Sequence, residues 1–387
     1  VIIAIADSGI DYQHPDLADN MWVNEAEQRG SPGVDDDGNG YVDDIYGYDF
    51  AGASSRQTGD GDSDPDDNWF HGTHVAGVAG AVGDNGVGIT GAVWNVRLMA
   101  LKIIADDFSK DPAIFASDAV EAVDYAVNNG AKIINASWGG SFYSQALYDA
   151  IKRAGDAGVI FVAAAGNDFG NDNDITPVYP ASYDLDNILS VMSTDHNDEP
   201  AAFSNFGATS VDVAEPGEEI LSTTPTTEQF PMVVFQVSTD YDTLSGTSLS
   251  APYGSGACAL IWSEYPTLTS GLVKGLLLRT VDPIVSPTRC CLSNGRINLY
   301  KALTLIPKGR AGKVLNSKDD HSDPNNLYDT IQDAIDDANN GDVLIAEIGT
   351  LFIEAIDFKG KAITVRSGNI ADPNDPILSP ETTLLVG

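Results

Sequence analysis

A hydroxyl, an imidazole and a carboxylate suffice to cleave an acyl bond if a fold brings them together. This 387-residue chain carries each in a compact motif: Asp7 in "ADSGID", His71 in "HGTHVAG" and Ser248 in "SGTSLSAP". A hydroxyl alone is a weak nucleophile at neutral pH, so it needs a base to take and return its proton, and a carboxylate to fix the base's tautomer. Ser248 stands just before the helix-patterned run "SAPYGSGACALIWS", where a positive helix end would stabilise a developing oxyanion. His71 opens a second helix-patterned run, and Gly72 beside it would admit a closely approaching chain. Asn167 closes the run "VIFVAAAGN", from which its amide can donate to the same oxyanion together with the Ser248 backbone N–H.

The elements around these residues set where they can meet. "VIIAIADSGI", "VRLMALKII", "KIINASWGG" and "VIFVAAAGN" are short β-branched runs that predict buried strands. Between them, "SDAVEAVDYAVNNGA", with Ser117 as its expected cap, and "SQALYDAIKRAGDAG" have helical periodicity. This alternation predicts an α/β fold, a parallel sheet with helices on both faces. Ligands in such sheets sit at the carboxyl ends of the strands, which here are residues 7–9, 137–140 and 165–167.

In this order and context, "DSGID", "HPDL", "HGTHVAG", "AAAGN", "SGTS…AP" and "GRINLYKAL" resemble the subtilisin-like serine proteases, over residues 1–306. The resemblance implies that Asp7 orients, His71 acts as base, Ser248 attacks and Asn167 donates to the oxyanion. It also implies a substrate cleft. Ser137, Trp138 and Gly139, with Gly140, resemble the edge strand that pairs with an extended peptide; Ala164, Ala165 and Gly166 resemble the opposite wall. Backbone pairing tolerates many sequences, so broad specificity on polypeptides is expected, with Asp168 at the rim a candidate for favouring basic residues. His74 is expected to pack and His14 to hold a turn. The chain departs from the family pattern at Trp69 and Phe70 before His71, where a subsite would be narrowed, and at Leu249, Ser250, Tyr253 and Glu215.

Two acidic segments are candidate calcium sites, because calcium takes six to eight oxygens with carboxylates among them. One follows from the resemblance: Asp16 of "HPDL" with the loop "VGDNGVGI", whose side-chain ligand would be Asp84 or Asn85. The other is "VDDDGNGYVDD", residues 34–44, where Asp35, Asp37, Asn39 and Asp43 fall at EF-hand ligand positions around Gly40. Position twelve is Tyr46 rather than Glu and no flanking helix pair is evident. The stretch therefore reads either as an isolated calcium loop or as a solvated turn built from Asp and Gly.

The whole chain holds 57 acidic and 20 basic residues, a net charge of −37, which argues against nucleic-acid binding and for attraction of cations. Its three cysteines, Cys258, Cys290 and Cys291, allow at most one disulfide, and free thiols are expected. No apolar run reaches the length of a membrane span. The chain starts directly on "VIIAIA" without Met, as if processed from a precursor.

Past residue 306 the pattern changes. Residues 307–313 read as a linker, and residues 314–387 resemble the onset of a pectin-lyase-like right-handed parallel β-helix, with a cap helix at 330–339. These features together predict a monomeric, secreted or cell-surface, calcium-stabilised serine endopeptidase whose C-terminal module contacts a surface or polysaccharide. The alternative is a surface adhesion or polysaccharide-binding protein whose protease domain serves processing.

Overall fold

The structure is a computed structural model, and it describes residues 1–51, 61–105, 116–286, 288–305, 314–316, 327–328, 335–336, 343–347 and 364–368. The chain divides into two compact units, Val1–Leu299 and Tyr300–Gly387. In the first unit the order begins β1 (Ile2–Asp7), α1 (Glu25–Arg29), β2 (Gly47–Asp49), α2 (His71–Gly80), β3 (Arg97–Lys102) and α3 (Ala116–Asn128). It continues with β4 (Ile133–Ala136), α4 (Gln145–Asp156), β5 (Ile160–Ala164), β6 (Ile188–Thr194), β7 (Val213–Pro216) and β8 (Ile220–Thr224). The remainder is α5 (Phe230–Phe235), β9 (Asp240–Leu244), α6 (Thr247–Glu264), α7 (Ser270–Arg279), β10 (Val281–Pro283) and β11 (Gly295–Ile297), followed by α8 (Leu299–Leu305).

Nine strands form one sheet in the order β10-β11-β7-β6-β5-β4-β1-β3-β2, and only β10 runs antiparallel to its neighbour. The α/β architecture is the one expected, with helices packed on both faces of a mostly parallel sheet. Side chains alternate across it as a period of two requires. Ala4, Ala6, Met99, Leu101, Ile134 and Phe161 pack with α3 and α4 through Ala119, Ala122, Leu147 and Ile151. On the other face α6 lies so close that a Cβ at Gly254 would be 3.4–3.5 Å from Val191, Leu189 and Val162. Strands buried on both sides read as continuous apolar runs, which is why the sequence pattern showed them.

Local signals set the helix starts. Ser144 caps α4 by accepting from the Leu147 N–H, and Thr269 caps α7 in the same way from Leu272. Ser117, expected as a cap, instead lies inside α3, where its hydroxyl donates to Asp118. All three cysteines are free and buried, and burial pushes the Cys258 thiol up to about 12.

In the second unit, β12 (Val314–Asn316), β13 (Leu327–Tyr328), β14 (Val343–Glu347) and β15 (Thr364–Gly368) form a sheet in the order β13-β12-β14-β15. β14 and β15 pair in parallel, with Val343 opposite Thr364, whereas β12 pairs antiparallel with both β13 and β14. The expected linker at 307–313 lies outside the described residues, as do all but residues 335–336 of the expected cap helix.

Candidate active site

β1 lies between β3 and β4, so the chain leaves it to one side of the sheet and returns on the other. The crevice at such a switch point opens at the carboxyl ends of the strands, and Asp7 is the last residue of β1. Asp7 is fully buried, and one carboxylate oxygen lies 2.7 Å from His71 Nδ1. That oxygen also accepts from the Ser8 N–H, while its twin is buried without a hydrogen-bond partner among the described residues. A buried carboxylate left half-satisfied favours the charged imidazolium beside it. Burial pulls the His71 pKa down, but the charge and hydrogen bond of Asp7 outweigh it and hold the imidazole above its ordinary value.

His71 is the first residue of α2, and the helix is pinned there by groups the motif reading passed over. Asp67, buried, accepts from the Thr73 N–H and hydroxyl at 2.9 and 2.7 Å and from the Ser8 hydroxyl at 2.9 Å. Ser8 in turn accepts from the Gly72 N–H. Gly72 is required at this junction, since a Cβ there would stand 2.1 Å from the Gly9 carbonyl oxygen. Burial raises the Asp67 pKa to about 6 despite these donors. The clue in the sequence was an aspartate four residues before the histidine.

Ser248 is the second residue of α6, at the helix end where backbone N–H groups are unpaired. Thr247 fastens this end to the end of β5. Its N–H and hydroxyl both donate to Asn167 Oδ1, at 2.9 and 3.0 Å, and its hydroxyl accepts from the Gly166 N–H. With Oδ1 taken by these donors, the Asn167 amide nitrogen is left on the side of Gly246 and Ser248. A Cβ built at Gly246 would be 3.4 Å from Asn167 Nδ2 and 3.8 Å from the Ser248 nitrogen. Both nitrogens thus lie within 4 Å of one position beside Ser248.

Pro252 has no N–H to offer the carbonyl four residues back, so the Ser248 carbonyl is left open inside α6. The Ser137 hydroxyl fills it at 2.6 Å, and Ser137 is itself held by Asn135, which is held by Ser255. The end of β4 and the residue after it are therefore tied to α6 at two points. Trp138 donates its indole N–H to the Ala6 carbonyl, and Gly140 exchanges both backbone hydrogen bonds with Tyr179.

These groups line one open cleft of about 680 Å³. His71, Ser248, Asn167, Ser137, Trp138, Gly139, Ala164 and Gly166 all face it, together with Trp69 and Asp168. Ala165 does not: alternation along the strand turns it into the core with Met192, Val211 and Ala214. Asp168 is exposed and steadied by the Asn205 amide, which accepts from its N–H and donates to its carboxylate. Among the described residues Ser248 Oγ has no hydrogen bond and His71 Nε2 none either, so both are free to engage a substrate. His74 lies buried away from this chemistry, its Nε2 3.1 Å from the Asp242 carbonyl oxygen, and burial lowers its pKa to about 4. His14 holds its turn by accepting the Asp16 N–H.

A profile of the subtilase family, peptidase S8, matches residues 1–339. The chain belongs to the subtilase family. Thermitase from Thermoactinomyces vulgaris is 34% identical over 301 residues, covering 78% of this chain and 88% of thermitase. Subtilisin-like protease 1 of Plasmodium vivax is 29% identical over 333 residues, covering 81% of this chain and 49% of that protein. Fervidolysin from Fervidobacterium pennivorans, a keratinolytic enzyme related to subtilisin, matches in structure with a TM-score of 0.61 and 26% identity, covering 82% of this chain and 44% of that one. This subtilase thus spans about half the length of the Plasmodium relative and of fervidolysin.

The acidic segments of the subtilase differ in how they could receive a cation. The Asp16 carboxylate accepts from the Asn85 side-chain amide, the Ile89 N–H and the Tyr241 hydroxyl, so donors rather than oxygens converge on it. Asp84 is exposed at φ 58. These hydrogen bonds tie residues 85–89 of the loop to Asp16. In the other segment Asp35 turns inward onto its own loop: it accepts from the N–H groups of Gly40, Gly38 and Asn39, and these hold its pKa below the usual range. Asp43 accepts from the Gly33 N–H.

Asp37 instead meets Glu27 and Asp44, each offering an oxygen within 4.8 Å of the others. Glu27 and Asp44 are buried, and the Asn24 and Asn39 amides bridge Asp37 to Asp44. No described lysine or arginine neutralises the three. Asp37 is exposed, and Glu27 accepts from the Asp36, Asp37 and Asp43 N–H groups, so a divalent cation here would add positive charge to carboxylates that already hold backbone donors. Sequence reading had Asp37 and Asn39 but not Glu27, which arrives from α1, outside the ligand template.

Proposed function

We propose that this subtilase is a serine endopeptidase that hydrolyses polypeptides through an acyl-enzyme on Ser248. The observation that carries the reading is the contact at 2.7 Å between the buried Asp7 and His71, which opens on the same cleft as Ser248 and Asn167. Ser248 Oγ attacks the peptide carbonyl carbon as His71 Nε2 takes its proton, and Asp7 holds the Nδ1–H and steadies the imidazolium. The oxyanion accepts from Asn167 Nδ2 and the Ser248 N–H. As the tetrahedral adduct collapses, His71 returns the proton to the leaving amine. Water then cleaves the acyl-serine, with His71 again the base. The extended substrate would pair along residues 137–139, and Asp168 would favour basic side chains at the rim.

Calcium belongs to this reading as a structural ion, held by Glu27, Asp37 and Asp44 and supplying charge balance between α1 and the acidic loop. So do a secreted or cell-surface setting, implied by the family resemblance, and a catalytic domain of residues 1–306 acting as a monomer. The coil-like C-terminal module stays in this reading on the sequence resemblance of residues 314–387 alone. Labelling by a fluorophosphonate probe tests nucleophile, base and oxyanion donors together. The parent chain is expected to label and to digest denatured casein, and Ser248→Ala to do neither. Casein digestion at the parent rate by Ser248→Ala would overturn the proposal.

A further inference from the structure

The cleft margins carry apolar side chains that neither the fold nor the proposed chemistry uses. Phe142, Phe169 and Phe235 are 90%, 82% and 61% exposed, and they are the exposed phenylalanines among the described residues. All three flank the cleft. Phe142 follows Ser141 and Phe169 follows Asp168, both lining residues; consecutive Cα atoms are about 3.8 Å apart, so each ring is rooted one residue from the groove. Phe235 ends α5 with its ring 6.3 Å from that of Trp69, which lines the cleft, and 5.8 Å from Phe70 beside His71. Ile175, 79% exposed, precedes the lining residue Thr176.

Rings this exposed bury little area on folding, and their grouping around a concave site marks an apolar partner. Phe169 bears a second cost. Its backbone is left-handed, at φ 52, a conformation a bulky side chain rarely adopts. Its own N–H donates to the Phe203 carbonyl, and Asn205 grips Asp168 next to it. Backbone strain persists where its surroundings over-determine it, and such positions gather at ligand clamps. Here the strained residue presents a solvent-exposed ring at the cleft edge.

We propose that these margins form an apolar rim that selects extended, apolar-rich polypeptide substrates, with Phe142, Phe169 and Phe235 taking large aliphatic or aromatic side chains outside the cleaved pair. The inference rests on the peptidase reading and names its substrate class. The occupant follows from continuity: the rim borders the cleft lined by residues 137–139, against which the peptidase reading lays an extended substrate. An extended chain turns alternate side chains to opposite sides, so rims on two walls meet successive residues of one substrate.

The test uses the full chain and two fluorogenic octapeptides with the same residues at the cleaved bond, flanked by Leu and Phe in one and by Ser and Gln in the other. The variants are Phe142→Ser, Phe235→Ser and Phe169→Asn, the last because Asn accepts the left-handed backbone. Per fluorophosphonate-labelled site, each variant is expected to lose about 10-fold in kcat/KM on the apolar-flanked peptide, the scale of one buried ring. On the polar-flanked peptide the change should stay within about 2-fold. Equal losses on both peptides, or none on either, would overturn the rim. The same variants on a Ser248→Ala background, titrated with uncleaved versions of both peptides, read the rim by binding alone. Failure of the parent to label would thus sink the peptidase reading while the binding difference still decides the rim.

Discussion

Asp7 gives one oxygen to His71 and Ser8 and keeps the other buried and unpartnered, so its charge is spent almost wholly on the imidazole. Asp7→Asn removes that charge. Because Asp7 raises the His71 pKa, the acidic limb of kcat/KM against pH is expected to move to lower pH, and kcat to fall about 10⁴-fold. A limb that stays in place, read from stopped-time assays between pH 5 and 9, would show that another group sets it. In the proposed mechanism Asn167 acts differently, since its nitrogen would meet charge that exists only in the transition state. Asn167→Ala is expected to lower kcat by roughly 10²–10³ at nearly constant KM, the magnitude established in subtilisin. A change in KM alone would place the residue in ground-state binding.

Between elements, the strands and the family motifs were legible because each is written in a short contiguous run. Apolar stretches named the strands, and glycine at position 72 announced a close crossing. What was not legible came from partners far apart in sequence. Thr247 sits inside a quoted motif, but its link to Asn167 exists only once β5 and α6 are neighbours. Ala165 was placed on the cleft wall by motif, and strand alternation turned it inward. Glu27 joins Asp37 and Asp44 only because α1 packs on the acidic loop, which Asp44 also ties to α3 through the Tyr125 hydroxyl. This junction predicts a calcium-dependent melting temperature: added calcium raises it, chelator lowers it, and Glu27→Gln removes most of the response. Differential scanning calorimetry of parent and variant checks this, and an identical response in both would exclude Glu27 as a ligand.

Across the whole molecule, 57 acidic residues against 20 basic ones make a field that reaches about 30 Å at 0.01 M salt and about 8 Å at 0.15 M. Peptides with lysines outside the cleaved segment are therefore expected to be captured faster at low salt. Their kcat/KM should fall several-fold over that range while a neutral peptide's barely changes. Equal salt dependence for both would remove the field as a factor. The same surface carries no thiol, since Cys258, Cys290 and Cys291 are all buried, Cys258 with its thiol pushed up to about 12. At neutral pH Cys258 is thus a poor nucleophile as well as out of reach. A single cysteine introduced at position 142 or 235 would then stand alone for maleimide chemistry, letting a dye on the rim report a substrate's arrival in real time without rebuilding the rest of the chain.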